Sequence, residues 1–227
     1  MADPYYINLE NYSLERFQHT LKTGEVLPAR QILKENIEER FEVLASMGLR
    51  NLGDLIAALK TKQKIEVFAQ QSGLPKEYLV IMGREAKSFI PKPVYLREIP
   101  GVEDEFVEKL EAVGITHSKH LFKRGQTKAE RDKLSAATGI PVDSIVELVK
   151  LSDLARVRGI GPVFVRLFYQ TGADTIEKLS KWDPEKLFMK ADAVNQEEMI
   201  TQWVPPLKDF EQYVEMAGDL AKVIEYE

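Results

Sequence analysis

Val157-Arg158-Gly159-Ile160-Gly161-Pro162-Val163 is the stretch that decides the fold. Two glycines two residues apart let a backbone turn tightly and approach another closely. Ile160 between them is expected to point inward and join two helices. Pro162 fits the first turn of a helix, where its missing N–H leaves nothing unsatisfied. The loop is followed by an apolar helical run, Val163 to Tyr169, and by a stop at Gly172. Asp174-Thr175-Ile176-Glu177 then reads as a capping box opening the next helix, with Asp174 as the cap.

Outward from this loop the same pattern returns. Ile99-Pro100-Gly101-Val102 falls on Val157-Arg158-Gly159-Ile160 at an offset of 58 residues, and Gly114 falls on Gly172. Leu44-Ala45-Ser46-Met47-Gly48-Leu49 falls on Leu110-Glu111-Ala112-Val113-Gly114-Ile115 at an offset of 66. That offset also sets Gly73-Leu74-Pro75 on Gly139-Ile140-Pro141, Leu55 on Leu121 and Leu79 on Ile145. Thr116 takes the place of Asp174 in the second copy; the first has Arg50 there, with Asn51 beside it, so that its cap can shift by one residue. Repeats of this size imply one helical unit stacked on its neighbours. The spacing of apolar residues elsewhere is also helical: Ile32, Leu33, Ile37, Phe41, Leu44 and Met47 mark one face, and Val102, Phe106, Leu110 and Val113 another. Further helices are expected from Pro141 to about Leu151 and from Leu207 to Leu220. Pro91-Lys92-Pro93 is the best linker. The expected organisation is all-α: a helical segment at 1–29, units at 30–95, 96–153 and 154–221, and a tail at 222–227.

The loop and its flanks resemble the helix-hairpin-helix motif. In that family the start of the second helix presents unpaired N–H groups that suit a phosphate, sometimes with a monovalent cation on the loop carbonyls. Such contacts grip a strand without reading its bases. The resemblance implies a phosphate site at Gly159, Ile160 and Gly161, with Arg156, Arg158 and Arg166 as cations. Such hairpins usually place Lys or Arg just after Gly-Pro, where this chain has Val163 and Phe164. The second copy has Glu103 and Asp104 in place of Gly and Pro, and the first has lost its glycines. The run from Leu151 to Phe164, with Gly172 to Leu179, Asp183 to Leu187 and Pro205 to Tyr213, resembles an uncharacterised bacterial family. That family is known mainly as a domain of unknown function with helix-hairpin-helix character. The likeness is best over 151–221, fair over 96–150 and faint before.

Charge sharpens the choice of partner. The net charge is −5. Residues 1–46 hold five basic and eight acidic side chains, and 192–227 hold two and nine, so 47–191 carries a net +5. A basic middle with acidic ends suits a nucleic-acid binder; it equally describes a helical surface with a solvated acidic end. Lys119, Lys123 and Arg124, continuing to Lys128, Arg131 and Lys133, form the densest basic patch. It reads either as a surface tracking a phosphate backbone or as a helix face with internal ion pairs.

Other chemistry finds little footing. The chain has no cysteine, which removes disulfides and thiolate chemistry. His117 and His120 could share a face, but no third metal ligand lies near. No Gly-x-Ser-x-Gly or Gly-Lys-Ser/Thr loop occurs. Asp174 and Asp183 read as helix caps. No apolar run approaches the roughly 18 residues a membrane helix needs, and the first residues have neither the basic flank nor the apolar core of a leader. These features point to a cytoplasmic, non-catalytic binding protein. One reading is sequence-nonspecific binding of DNA or RNA at Gly159–Gly161; the other is a protein-interaction scaffold.

Overall fold

Glycines end three helices in the same way. Gly48, Gly114 and Gly172 have φ of +86°, +80° and +87°, and each is followed three residues on by a helix cap. The caps are Asn51, His117 and Thr175, whose side chains accept the N–H of Asp54, His120 and Lys178 at 2.9, 3.3 and 3.1 Å. The turns and the caps keep the offsets of 66 and 58. All three caps stand one residue later than Arg50, Thr116 and Asp174. The reason is clear at Asp174, whose carboxylate is drawn away by Lys150 at 2.6 Å and Lys178 at 2.7 Å. Asp183 does cap its helix, accepting the N–H of Lys186 at 3.0 Å.

This computed structural model describes residues 3–24 and 28–226. Met1 and Ala2, part of the leader reading, and the last residue of the 222–227 tail lie outside them. Among the described residues the regular structure is all helical, with only isolated β-bridges besides. The chain divides into two compact units, one of residues 8–90 and one of residues 1–7 with 91–227.

In the 8–90 unit the helices are α1 (Leu14–Thr23), α2 (Ile37–Ser46), α3 (Leu52–Ala58), α4 (Lys62–Ser72) and α5 (Lys76–Lys87). The single face expected from Ile32 to Met47 is broken. A 3-10 turn at Pro28–Leu33 precedes α2, and Asn36 between them is left-handed at φ 45°. Asparagine tolerates that conformation better than other side chains. Phe17 packs its ring on Phe41 and Phe89, with centroids 6.0 and 5.6 Å apart. Leu33, Leu44, Leu52, Leu55 and Leu79 are fully buried; each such side chain stabilises the fold by roughly 1.5–3 kcal/mol.

In the larger unit the helices are α6 (Asp104–Ala112), α7 (Ser118–Arg124), α8 (Lys128–Thr138), α9 (Val142–Leu154), α10 (Pro162–Gln170), α11 (Ile176–Leu179), α12 (Pro184–Glu198) and α13 (Leu207–Asp219). The long α9 is the centre: α7, α8 and α10 all pack on it, and α13 closes over α11 and α12. Leu148, Val149, Leu151 and Leu154 of α9 are buried. A short backbone pairing joins the start of α7 to residues 94–96, with Ser118 N–H donating to Val94 O at 2.8 Å. At the matching place in the 8–90 unit, Leu52 N–H donates to Tyr12 O at 3.0 Å. Before α10 the chain at that register still belongs to α9. There the Asp153 side chain takes over, accepting Ile176 N–H at 3.2 Å.

Candidate functional site around the 157–163 loop

The loop forms as its sequence implies. Val157 and Ile160 are buried, and Ile160 N–H donates back to Val157 O at 3.2 Å. Gly161 precedes α10 in extended conformation and Pro162 opens the helix. The N–H groups of Gly161, Val163 and Phe164 have no acceptor among the described residues. A Cβ at Gly161 would meet nothing within 4 Å. Gly159 differs: it is left-handed at φ +88°, and a Cβ there would lie 3.0 Å from Cε1 of Tyr213 on α13. Its glycine is explained by backbone conformation and by the ring behind it.

Two of the three arginines expected to serve a phosphate are interior. Arg156 is 2% exposed. Its guanidinium pairs with Asp153 and donates to Tyr5 O at 3.3 Å, Pro4 O at 2.8 Å and Ala221 O at 2.8 Å. It also lies over the Phe122 ring. Both ends of the chain are thus fastened to one side chain. Asp153 receives, besides, the Tyr226 hydroxyl at 2.9 Å. Burial, and then the Asp153 charge, push the Tyr226 phenol far above its usual range. Arg166 is 7% exposed. It donates to Pro100 O at 2.6 Å and to Glu147 at 2.8 Å, and its guanidinium lies 3.5 Å from where a Cβ would stand on Gly101. It therefore covers the 99–102 loop. Arg158 is the one of the three that is not buried.

What stands beside the loop at the surface is apolar. Phe164 meets the edge of Trp203, with centroids 5.6 Å apart and planes at 82°, and Trp203 is 58% exposed. The segment carrying the tryptophan is held. Asn195 brackets Thr201, accepting its N–H at 2.8 Å and donating to its carbonyl at 3.1 Å. The Thr201 hydroxyl donates to Trp203 O at 3.0 Å. Met199, between them, is 83% exposed at a left-handed φ of 50°. Sequence reasoning did not single out this face; Trp203 beside Pro205-Pro206 was the signal that could have found it.

The 119–133 patch is largely engaged within the unit. Lys119 and Lys123 approach Asp3 at 2.7 and 3.5 Å. Lys119 also lies 4.3 Å from the centre of the Tyr6 ring. Arg124 donates to Val113 O at 2.6 Å, and Lys128 pairs with Asp132. Arg131 is interior, donating to Gly125 O and to Glu225 O.

His117 and His120 stack at 3.6 Å. Among the described residues no group of three His, Asp, Glu or Cys is placed to hold a metal. His117 Nδ1 accepts a backbone N–H as the cap of α7, so the ring must be unprotonated there. Burial first, then the neighbouring His120, lower its pKa below the ordinary 6.5. Above that value both folded and unfolded chains hold it neutral. As pH falls below it the unfolded chain takes the proton first, so stability falls. Thermal midpoints are expected to drop between about pH 7.5 and 5.5, and to drop less in His117→Asn, which caps without titrating. Equal drops in the two proteins would refute this.

Fold and site together define an all-helical protein in which Tyr213 of α13 backs the 157–163 loop and two arginines near the loop are interior. The chain belongs to the family described as a domain of unknown function, DUF4332, whose model matches residues 100–220. That span runs from the 99–102 loop to the end of α13. No curated protein and no solved structure matches the chain. Among the described residues no helix is long and apolar enough to cross a membrane.

Proposed function

We propose that the chain is a non-catalytic binding module of helix-hairpin-helix type, and that its third hairpin docks a protein partner. The repeat reading is supported by the shared offsets of the helix-ending glycines and the caps. The observation that carries the partner is the apolar surface after the loop, where Phe164 supports an exposed Trp203. Exposed aromatic side chains on a held backbone resemble the anchors that dominate protein interfaces. Burial of Arg156 and Arg166 removes cations that a phosphate strand would need. A second reading keeps nucleic acid at the same hairpin. It is favoured by the N–H groups of Gly161, Val163 and Phe164, which have no acceptor among the described residues.

The two readings separate in one experiment. Affinity capture on the immobilised chain is run at low and high salt with wild type, Trp203→Ser and Gly161→Glu, each checked for helicity. The protein reading expects a partner retained at high salt, lost with Trp203→Ser, and binding directly once purified. Fluorescence anisotropy with single- and double-stranded DNA and RNA supplies the other arm. Salt-sensitive binding abolished by Gly161→Glu and untouched by Trp203→Ser would replace the first reading with the second.

A further inference from the structure

A groove of about 300 Å3 opens in the larger unit where the ends of α6 and α7 meet α8. Its apolar lining is Val113, Leu134 and Ala137, and its cations are Lys123, Arg124 and Lys133. The one carboxylate in its lining, Glu130, is tied down by the capping box of α8, accepting Thr127 N–H at 2.9 Å. Arg124 is fixed too, since one of its nitrogens reaches Val113 O at the end of α6. Lys133 is exposed and has no ion pair among the described residues. The groove therefore combines an apolar floor with positive charge held at its edge.

The same place in the 8–90 unit provides a natural comparison. A groove of about 380 Å3 lies against α3 and α4, lined by Ala58, Lys64, Val67 and Phe68 among others. At the offset of 66 these residues stand for Arg124, Glu130, Lys133 and Leu134, and Ala57 stands for Lys123. The helix pair thus builds a groove of this kind without any of the three cations. The shape of the groove does not require Lys123, Arg124 and Lys133, although Lys123 also approaches Asp3 at 3.5 Å and Arg124 also holds Val113 O. Lys133 has no ion pair among the described residues, and the chemistry of the three cations describes what would enter the groove.

We infer that the 113–137 groove binds an acidic peptide segment, one that seats an aliphatic or aromatic side chain on Val113, Leu134 and Ala137 and sets flanking Asp or Glu against Lys123, Arg124 and Lys133. A nucleic-acid backbone would use the cations but has no group for the apolar floor. A purely apolar segment would fit the comparison groove better. Cations around an apolar contact act chiefly by choosing the partner and speeding its approach. The residues are separate from those around Phe164 and Trp203, so this surface stands or falls independently of that face.

The test uses the full chain to select short peptides from a random display library, with counter-selection on Lys123→Glu/Arg124→Glu/Lys133→Glu. Selected peptides are expected to be acidic around one aliphatic or aromatic residue. Synthesised singly, they should bind about tenfold or more weaker to the triple variant and unchanged to Val67→Ser in the comparison groove. Lys133→Glu alone, at an exposed position with no ion pair among the described residues, provides the same reading if the triple variant loses helicity. Failure to enrich any sequence, enrichment of sequences without acidic residues, or binding indifferent to Lys133→Glu would overturn the inference. So would an oligonucleotide that binds wild type and displaces the selected peptides, which would make the groove a phosphate surface.

Discussion

Replacing Arg156 with alanine is expected to destabilise the larger unit by about 3–5 kcal/mol, because it leaves the Asp153 carboxylate buried without its cation. The thermal midpoint should fall by roughly 6–20 °C at about 2–4 °C per kcal/mol. Three further acceptors lose their donor at once: the carbonyls of Pro4, Tyr5 and Ala221. Both chain ends should therefore loosen together, which faster amide exchange around residues 4–7 and 221–226 would register. Asp153→Ala should cost a similar amount. The double variant should cost less than the sum of the two, since the second change removes the charge that the first stranded. If Arg156 were instead a surface cation for phosphate, Arg156→Ala would weaken binding to a polyanion and leave the midpoint unmoved. That outcome would sink the internal assignment.

The helices were legible because they rest on local signals. Gly114 and Gly172 end helices where apolar spacing stops, and Pro162 opens one. The caps expected at Thr116 and Asp174 stand one residue later, and at Asp174 the physical reason is plain. Asp174-x-x-Glu177 has the right spacing for a capping box, but capping competes with ion pairing, and Lys150 comes from a different helix, 24 residues earlier. No local window contains that competitor. The interior arginines were hidden for the same reason. Arg156 and Arg166 sit beside a glycine loop and look like its cations, whereas, Asp153 apart, their partners lie at Tyr5, Ala221, Pro100 and Glu147. The Phe164–Trp203 face joins residues 39 positions apart. Lys123, Arg124 and Lys133 were legible as a basic stretch, but the apolar floor between them depends on how α7 meets α8.

The same substitution at the two loop glycines should have opposite results. Gly159→Ser places a side chain at φ +88°, where an L-residue costs about 1–2 kcal/mol. The new Cβ would also stand 3.0 Å from Tyr213 Cε1, so the α13 ring must shift, and overpacking of this kind typically costs about 1–3 kcal/mol. A total loss of about 2–5 kcal/mol is expected by urea or thermal unfolding. Gly161→Ser meets neither obstacle. Its φ is −83° and its Cβ faces open space, and as the residue capping α10 a serine oxygen could accept an N–H of the first turn. Its expected effect is between zero and a few tenths of a kcal/mol in favour of the fold. Tyr213→Leu divides the Gly159 penalty into its parts, because shortening the side chain relieves the contact and leaves the backbone strain. Gly159→Ser should therefore cost less in the Tyr213→Leu background, and the remainder should approach the left-handed backbone cost alone. An equal penalty at both glycines would mean that Gly161 is held by something the loop geometry does not contain. An equal absence of penalty would mean that α13 does not seat against the loop, and the role of Tyr213 behind Gly159 would fail with it.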